Sequence, residues 1–154
     1  MSQALEKLRQ YCAYQERCHS EVKYRALELG MRGNEVEEAI AALIADNFLN
    51  EERFAKAYAG GKFRMKQWGR KKIQASLKMK QVSAYCIKKG LAEIDEDDYL
   101  QVVQQQAEKK YQSLKGEIPM KRKYKTMQYL LQRGFEQELI SEALEQIANN
   151  SDFK

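Results

Sequence analysis

Cys12, Cys18 and His19 lie within one short stretch, and a third cysteine, Cys86, lies far downstream. Thiolate and imidazole are zinc ligands, so metal chemistry is the first possibility to weigh. The spacing argues against it. There is no C-x2-C pair and no second histidine to complete a tetrahedral set. Three cysteines are an odd number, and in a reducing compartment a disulfide framework is not expected. His19 is the one candidate for histidine-dependent catalysis, and no Ser or Cys stands in a recognisable nucleophile motif. No metal, cofactor or catalytic residue is therefore expected, and His19 reads as a helix-surface histidine. The chain reads as a binding protein, not an enzyme.

The charges point to what it binds. Arg53 to Ala92 contains 12 Lys/Arg and no Asp or Glu, whereas residues 1–52 carry 6 basic and 10 acidic residues and residues 93–154 carry 9 and 12. The whole positive excess of the net +5 lies in the middle. Carboxylates at i,i+4 spacing would relieve repulsion between lysines, so their absence over forty residues favours a polyanionic or acidic partner over a merely solvated face.

These side chains must be carried by helices. Leu, Ala, Glu, Lys and Gln dominate, Pro119 is the single proline, and an all-α fold follows. Offsets 0, 4, 8, 9, 14 and 18 recur three times: Val22, Ala26, Gly30, Met31, Val36, Ile40; Ile73, Leu77, Gln81, Val82, Ile87, Leu91; Thr126, Leu130, Gly134, Phe135, Ile140, Leu144. Positions 0 and 4 share a face of one helix, position 8 ends it, and 14 and 18 face inward from the next. Gly30 and Gly134 suit a left-handed helix end, whereas Gln81 must manage with a Cβ or use another turn. Ser83 is placed to cap the following helix. Amphipathic stretches at Ala4–Tyr14, Glu52–Met65 and Asp97–Tyr111 precede the three pairs. This predicts three tandem three-helix, helix-turn-helix-like repeats, at 1–49, 50–94 and 95–150 with a tail at 151–154. Units this small should lean on their neighbours in an elongated, curved array. No apolar run approaches the roughly 18 residues of a membrane span, and Glu6, Lys7 and Arg9 interrupt the start. A cytoplasmic location without membrane contact is expected.

The run Phe48-Leu49-Asn50-Glu51-Glu52-Arg53-Phe54-Ala55 resembles the signature of the RecX family, regulators of the RecA recombinase. Gly61-Lys62-Phe63-Arg64 and Trp68-Gly69-Arg70-Lys71-Lys72-Ile73 with Leu77 resemble that family's second repeat, and Arg133-Gly134-Phe135 with Ile140 and Leu144 its closing motif. The chain departs from the pattern at Ala26, where a larger apolar residue is usual, and at Gln81, where glycine is frequent. The resemblance implies binding to the RecA filament on single-stranded DNA, and restraint of its recombinase, ATPase and coprotease activities in DNA repair and the SOS response.

The contact residues expected are Arg53, Lys62, Arg64, Lys66, Trp68, Arg70, Lys71, Lys72, Lys78, Lys80, Lys121, Arg122, Lys123 and Lys125. Arg64, Lys66, Arg70, Lys71 and Lys72 lead, because they flank Trp68 in a stretch read as a connection between helices. Arg53 reads, in preference to a direct partner contact, as a structural ion pair to a carboxylate such as Glu37 or Asp46. Trp68 reads as an interface anchor, a base-stacking platform or a plug between units. The cluster Lys121–Lys125 is as much a solvated helix end as a contact. Tyr11, Tyr14, Tyr111, Tyr124 and Tyr129 read as core margins in preference to nucleotide stackers. The alternative function is a helix-turn-helix protein acting directly on DNA. The expected third helices open with Asn34-Glu35-Val36, Ser83-Ala84-Tyr85 and Glu136-Gln137-Glu138, which are poor base readers. The chain is expected to act as a monomer, with at most weak, non-specific binding to single- or double-stranded DNA.

Overall fold

The computed structural model describes residues 2–150, with side chains from Gln3 onward; the expected tail at 151–154 lies outside them. Among the described residues the regular elements are all helical: α1 (Ser2–Tyr14), α2 (His19–Glu28), α3 (Asn34–Ala45), α4 (Glu51–Gly61), α5 (Arg70–Met79), α6 (Ala84–Ala92), α7 (Glu96–Ser113), α8 (Pro119–Gln132) and α9 (Gln137–Asn149). A single π turn, Lys62–Lys66, extends α4. The helices form three tandem three-helix repeats. None is long and apolar enough to cross a membrane.

The recurring offsets correspond to one local structure used three times. At position 8 the backbone is left-handed in every repeat: Gly30 at φ +91°, Gln81 at +65° and Gly134 at +95°. The next amide donates back to the residue at position 4, Met31 to Ala26 (3.0 Å), Val82 to Leu77 (3.1 Å) and Phe135 to Leu130 (3.2 Å). The amide of position 8 itself donates three residues back, to Leu27, Lys78 and Leu131. This is the Schellman closure, in which two otherwise orphaned helix carbonyls are satisfied while the apolar residue after the turn folds back on the helix. Gln81 therefore makes the same turn as the two glycines and tolerates the steric cost of its Cβ. Met31, Val82 and Phe135 are all buried.

By backbone proximity the chain divides into two units, 1–60 with 76–93, and 61–75 with 94–154, so that α5 contributes to both. In the first unit Leu8, Cys12, Val22, Ala26, Met31, Val36, Ala39, Leu43 and Leu49 form one core. The Cys18 amide donates to Glu21 Oε1 (2.9 Å) at the start of α2, and Ser83 Oγ accepts from the Cys86 amide (3.2 Å) at the start of α6, as expected of a cap. Gly90 of α6 lies so close to α4 that a Cβ there would come within 2.6 Å of the Ala55 carbonyl.

In the second unit the rings of Phe63, Tyr99 and Phe135 stack in a chain with 5.7 Å between successive centroids. Val103, Ala107, Leu130, Ile140, Ala143, Leu144 and Ile147 are buried in this unit as well. Carboxylates at 96–98 fill the first turn of α7 and Asp95 caps it (3.0 Å to the Asp98 amide), which suits the positive end of the helix dipole.

Candidate partner-binding surface

The stretch around Trp68 is not a plain connection between helices, as the sequence suggested. Lys62, Arg64 and Lys66 sit on the π turn, and Arg70, Lys71 and Lys72 form the first turn of α5. The π turn ends at Gln67, which is left-handed (φ 55°) and whose side-chain carbonyl accepts from the Gln106 amide. Phe63 points into the core, while Arg64, Met65 and Lys66 are exposed. Trp68 is half-buried, and the ammonium groups of Lys62 and Lys72 lie 5.0 and 4.5 Å from its ring centroid, within cation–π range.

Gly69 and Gly134 explain why these segments hold their shape. The Gly69 amide donates to the Arg133 carbonyl (2.7 Å) and the Lys71 amide to the Gly134 carbonyl (2.9 Å). A Cβ on Gly69 would collide with the Gly134 backbone, and one on Gly134 with Lys72. The Arg133 guanidinium donates to the Lys66 and Gln67 carbonyls at the end of the π turn.

Arg70 belongs to this frame and is not a free surface charge. Its amide donates to the Tyr99 hydroxyl (2.9 Å), its guanidinium to Glu136 (2.8 Å) and Glu96, and its Cζ lies 3.8 Å from the Tyr99 ring centroid. Tyr99 in turn donates to Glu136. Burial, reinforced by the Glu136 carboxylate, pushes the Tyr99 phenol far above its ordinary value against the opposing pull of Arg70. Tyr99, Glu96, Glu136 and Arg133 are thus positioning residues, none of which is among the contact residues expected from the sequence. The one signal for them was the Arg133-Gly134-Phe135 motif.

Elsewhere in the second unit, Lys121 and Lys123 are exposed in the opening turns of α8. Arg122 lies flat on Tyr111 (3.6 Å) and donates to its carbonyl (2.7 Å). Lys125 pairs with Glu117 at 2.5 Å, and that ammonium holds the Glu117 carboxyl below its usual range. Tyr124 is exposed, as is Tyr14 in the first unit, so neither is a core margin.

In the first unit Arg53 is an ion-pair residue, but its partner is Glu16 (2.7 Å), not Glu37 or Asp46. The same guanidinium donates to the Asn47 side chain and to the Asn47 and Phe48 carbonyls, closing the end of α3. Lys80 pairs with Glu21 (3.4 Å), and Lys78 is exposed. His19 is half-buried with Nδ1 3.8 Å from Glu51. Arg64, Lys66, Lys71, Lys121 and Lys123 in the second unit, and Lys78 in the first, are thus the exposed candidates with no ion pair among the described residues.

The repeats are shared with known proteins. Family models described as the second and third three-helix domains of RecX match residues 50–91 and 96–144. A regulatory protein RecX from Chlorobium limicola is 30% identical over 83% of this chain and 80% of its own length. The chain belongs to the RecX family. A RecX of Clostridium perfringens strain 13 is 31% identical over 84% of the chain, and one of Serratia proteamaculans 35% identical over 68%. The chain spans about three fifths of the length of these two relatives. The crystal structure of RecX from Lactobacillus salivarius superposes with a TM-score of 0.87 at 21% identity, covering 97% of both chains, and so shares the RecX fold. The Trp68–Lys72 segment lies within the matched second domain and Arg133-Gly134-Phe135 within the third.

Proposed function

We propose that this chain binds the RecA recombinase filament and restrains its recombinase, ATPase and coprotease activities during DNA repair and the SOS response. Membership of the RecX family carries this reading. The exposed cations that have no carboxylate partner, Arg64, Lys66 and Lys71 foremost, support an acidic or polyanionic partner surface. Trp68, Lys62 and Lys72 support an aromatic anchor beside them, since aromatic and cationic side chains concentrate binding energy at interfaces. Arg53, Arg70, Lys80, Arg122 and Lys125 already satisfy partners within the chain, so their role in binding is to hold the surface in shape.

The test is a pull-down of RecA by the full chain, with and without single-stranded DNA and nucleotide, together with RecA ATPase and strand-exchange assays. Retention on the DNA-bound filament with reduced ATPase and exchange is expected. Absence of retention under every condition would overturn the proposal. Charge reversal at Arg64, Lys66 and Lys71 together is expected to weaken retention at least tenfold while leaving the melting temperature within a few degrees of the parent, because exposed charges contribute little to folding.

A further inference from the structure

The first 52 residues carry a net negative charge, yet one cleft there is positive. It lies between the end of α1, the connection that follows and α2, encloses about 440 Å³, and is lined by Lys7, Gln10, Tyr11, Tyr14, Arg17 and Arg25. Three of the six are cations and none is a carboxylate. Arg25 is paired with Glu28 at 3.4 Å, and Glu21 lies close enough to act on the Tyr11 phenol, so Lys7 and Arg17 are the lining cations without a carboxylate partner among the described residues.

Arg17 is built into this cleft in a fixed pose. Its Nε donates to the Tyr11 carbonyl (3.0 Å) and its Cζ lies 3.7 Å from the Tyr11 ring centroid. One N–H and one face of the guanidinium are therefore engaged, and among the described residues no carboxylate pairs with it. The Nη edge that remains is the planar fork suited to two oxygens of a phosphate. Tyr14 stands beside it, 6.0 Å from Arg17 Cζ to ring centroid, and is 83% exposed. A large aromatic left this open at the end of a helix keeps a π face on which a base can stack beside the Arg17 fork. Lys7 and Arg25 add charge on the walls.

We propose that this cleft is a nucleotide-binding site, in which Arg17 takes the phosphate, Tyr14 stacks on the base, and Lys7 and Arg25 hold the anion electrostatically. It is separate from the partner-binding residues proposed above and does not rest on that reading. The ligand is a nucleotide unit, either free or within a single strand. Stacking on an aromatic is tolerant of base identity, so little base preference is expected.

The experiment is an amide-resolved NMR titration of the full chain with adenosine monophosphate, a short oligodeoxythymidylate and inorganic phosphate in parallel. Shifts centred on residues 7–25 are expected with the two nucleotide probes, and phosphate should bind at least tenfold more weakly. Similar affinity for both nucleotide probes identifies a free nucleotide, and a large preference for the oligonucleotide identifies a single strand. Y14A should weaken nucleotide binding about tenfold and leave phosphate binding unchanged, a loss in keeping with a single base stack. Tyr14 contacts solvent on most of its surface, so this variant keeps the fold; K7Q is a second exposed variant expected to weaken both ligands. Equal binding of phosphate and adenosine monophosphate, an unchanged affinity in Y14A, or shifts confined to residues 62–80 would each overturn the proposal.

Discussion

At the scale of single residues, neighbouring cations of like type have unlike roles, and burial and partners separate them. Arg70 is three-quarters buried and bound to Glu136, Glu96 and Tyr99, whereas Lys71 beside it is exposed. Arg70→Ala should therefore cost about 2 kcal/mol of folding stability, because it leaves partly buried polar groups without their partner. Lys71→Ala should stay within about 0.5 kcal/mol. Urea unfolding of the two variants checks this, and equal midpoints would show Arg70 to be a surface charge. Tyr99 adds a pH signature. Its folded pKa is raised, so its contribution is intact below the unfolded value of about 10 and is lost as the pH rises beyond it. Stability should fall above about pH 10 by up to about 1.4 kcal/mol per pH unit, and the fall should be shallower in Tyr99→Phe. Parallel unfolding curves of parent and variant between pH 8 and 11 would contradict the raised phenol.

At the scale of elements, the Schellman turn is the repeated device, and its three copies carry different loads. Gly30 has no neighbour within 4 Å of an added Cβ, Gly134 has Lys72 against it, and Gln81 already bears the left-handed strain. Gly30→Ala should cost about 1 kcal/mol, the penalty of a Cβ at positive φ. Gly134→Ala should cost at least about 3 kcal/mol, because strain and a backbone collision add. Gln81→Gly should change stability by less than about 1 kcal/mol and in the stabilising direction, since relief of the left-handed strain is partly offset by a more flexible unfolded chain. Thermal unfolding of the three variants orders these effects, and a Gly134→Ala protein as stable as Gly30→Ala would show that the close approach of α8 to α5 yields freely.

At the scale of the whole molecule, charge is partitioned along the chain, with 12 cations between Arg53 and Ala92 and net negative flanks. Charge partitioned in this way is expected to attract nucleic acid without reading its sequence. Binding to single-stranded DNA should weaken with salt at a slope near −0.7 per neutralised phosphate, so a footprint of roughly five phosphates would be largely lost by about 150 mM salt. Binding to recombinase filament should persist further, because apolar contacts at an interface are not screened. Titration of salt against single strand, duplexes of several sequences and filament separates these. Tight, sequence-selective duplex binding at about 150 mM would favour a direct DNA reader.

Period and composition were enough to determine the class of the fold, because an amphipathic helix must repeat its apolar face every three to four residues and a turn that recurs leaves the same offsets each time. The offsets from Val22, Ile73 and Thr126 named the left-handed position and the residues at 0, 4, 9 and 14 that are buried in all three repeats, while at offset 18 Leu144 is buried and Ile40 and Leu91 are only partly so. The motifs around Arg53, Trp68 and Gly134 carried the family. Which cations are free was decided only by tertiary structure, because a charge is satisfied by whatever carboxylate the fold brings to it, and sequence distance does not predict that. Arg53 met Glu16 across 37 positions and Arg70 met Glu136 across 66. The exposure of Tyr14 and the contact of Gly69 with Gly134 were equally invisible in the sequence, for a helical period marks a face and does not say whether another element covers it.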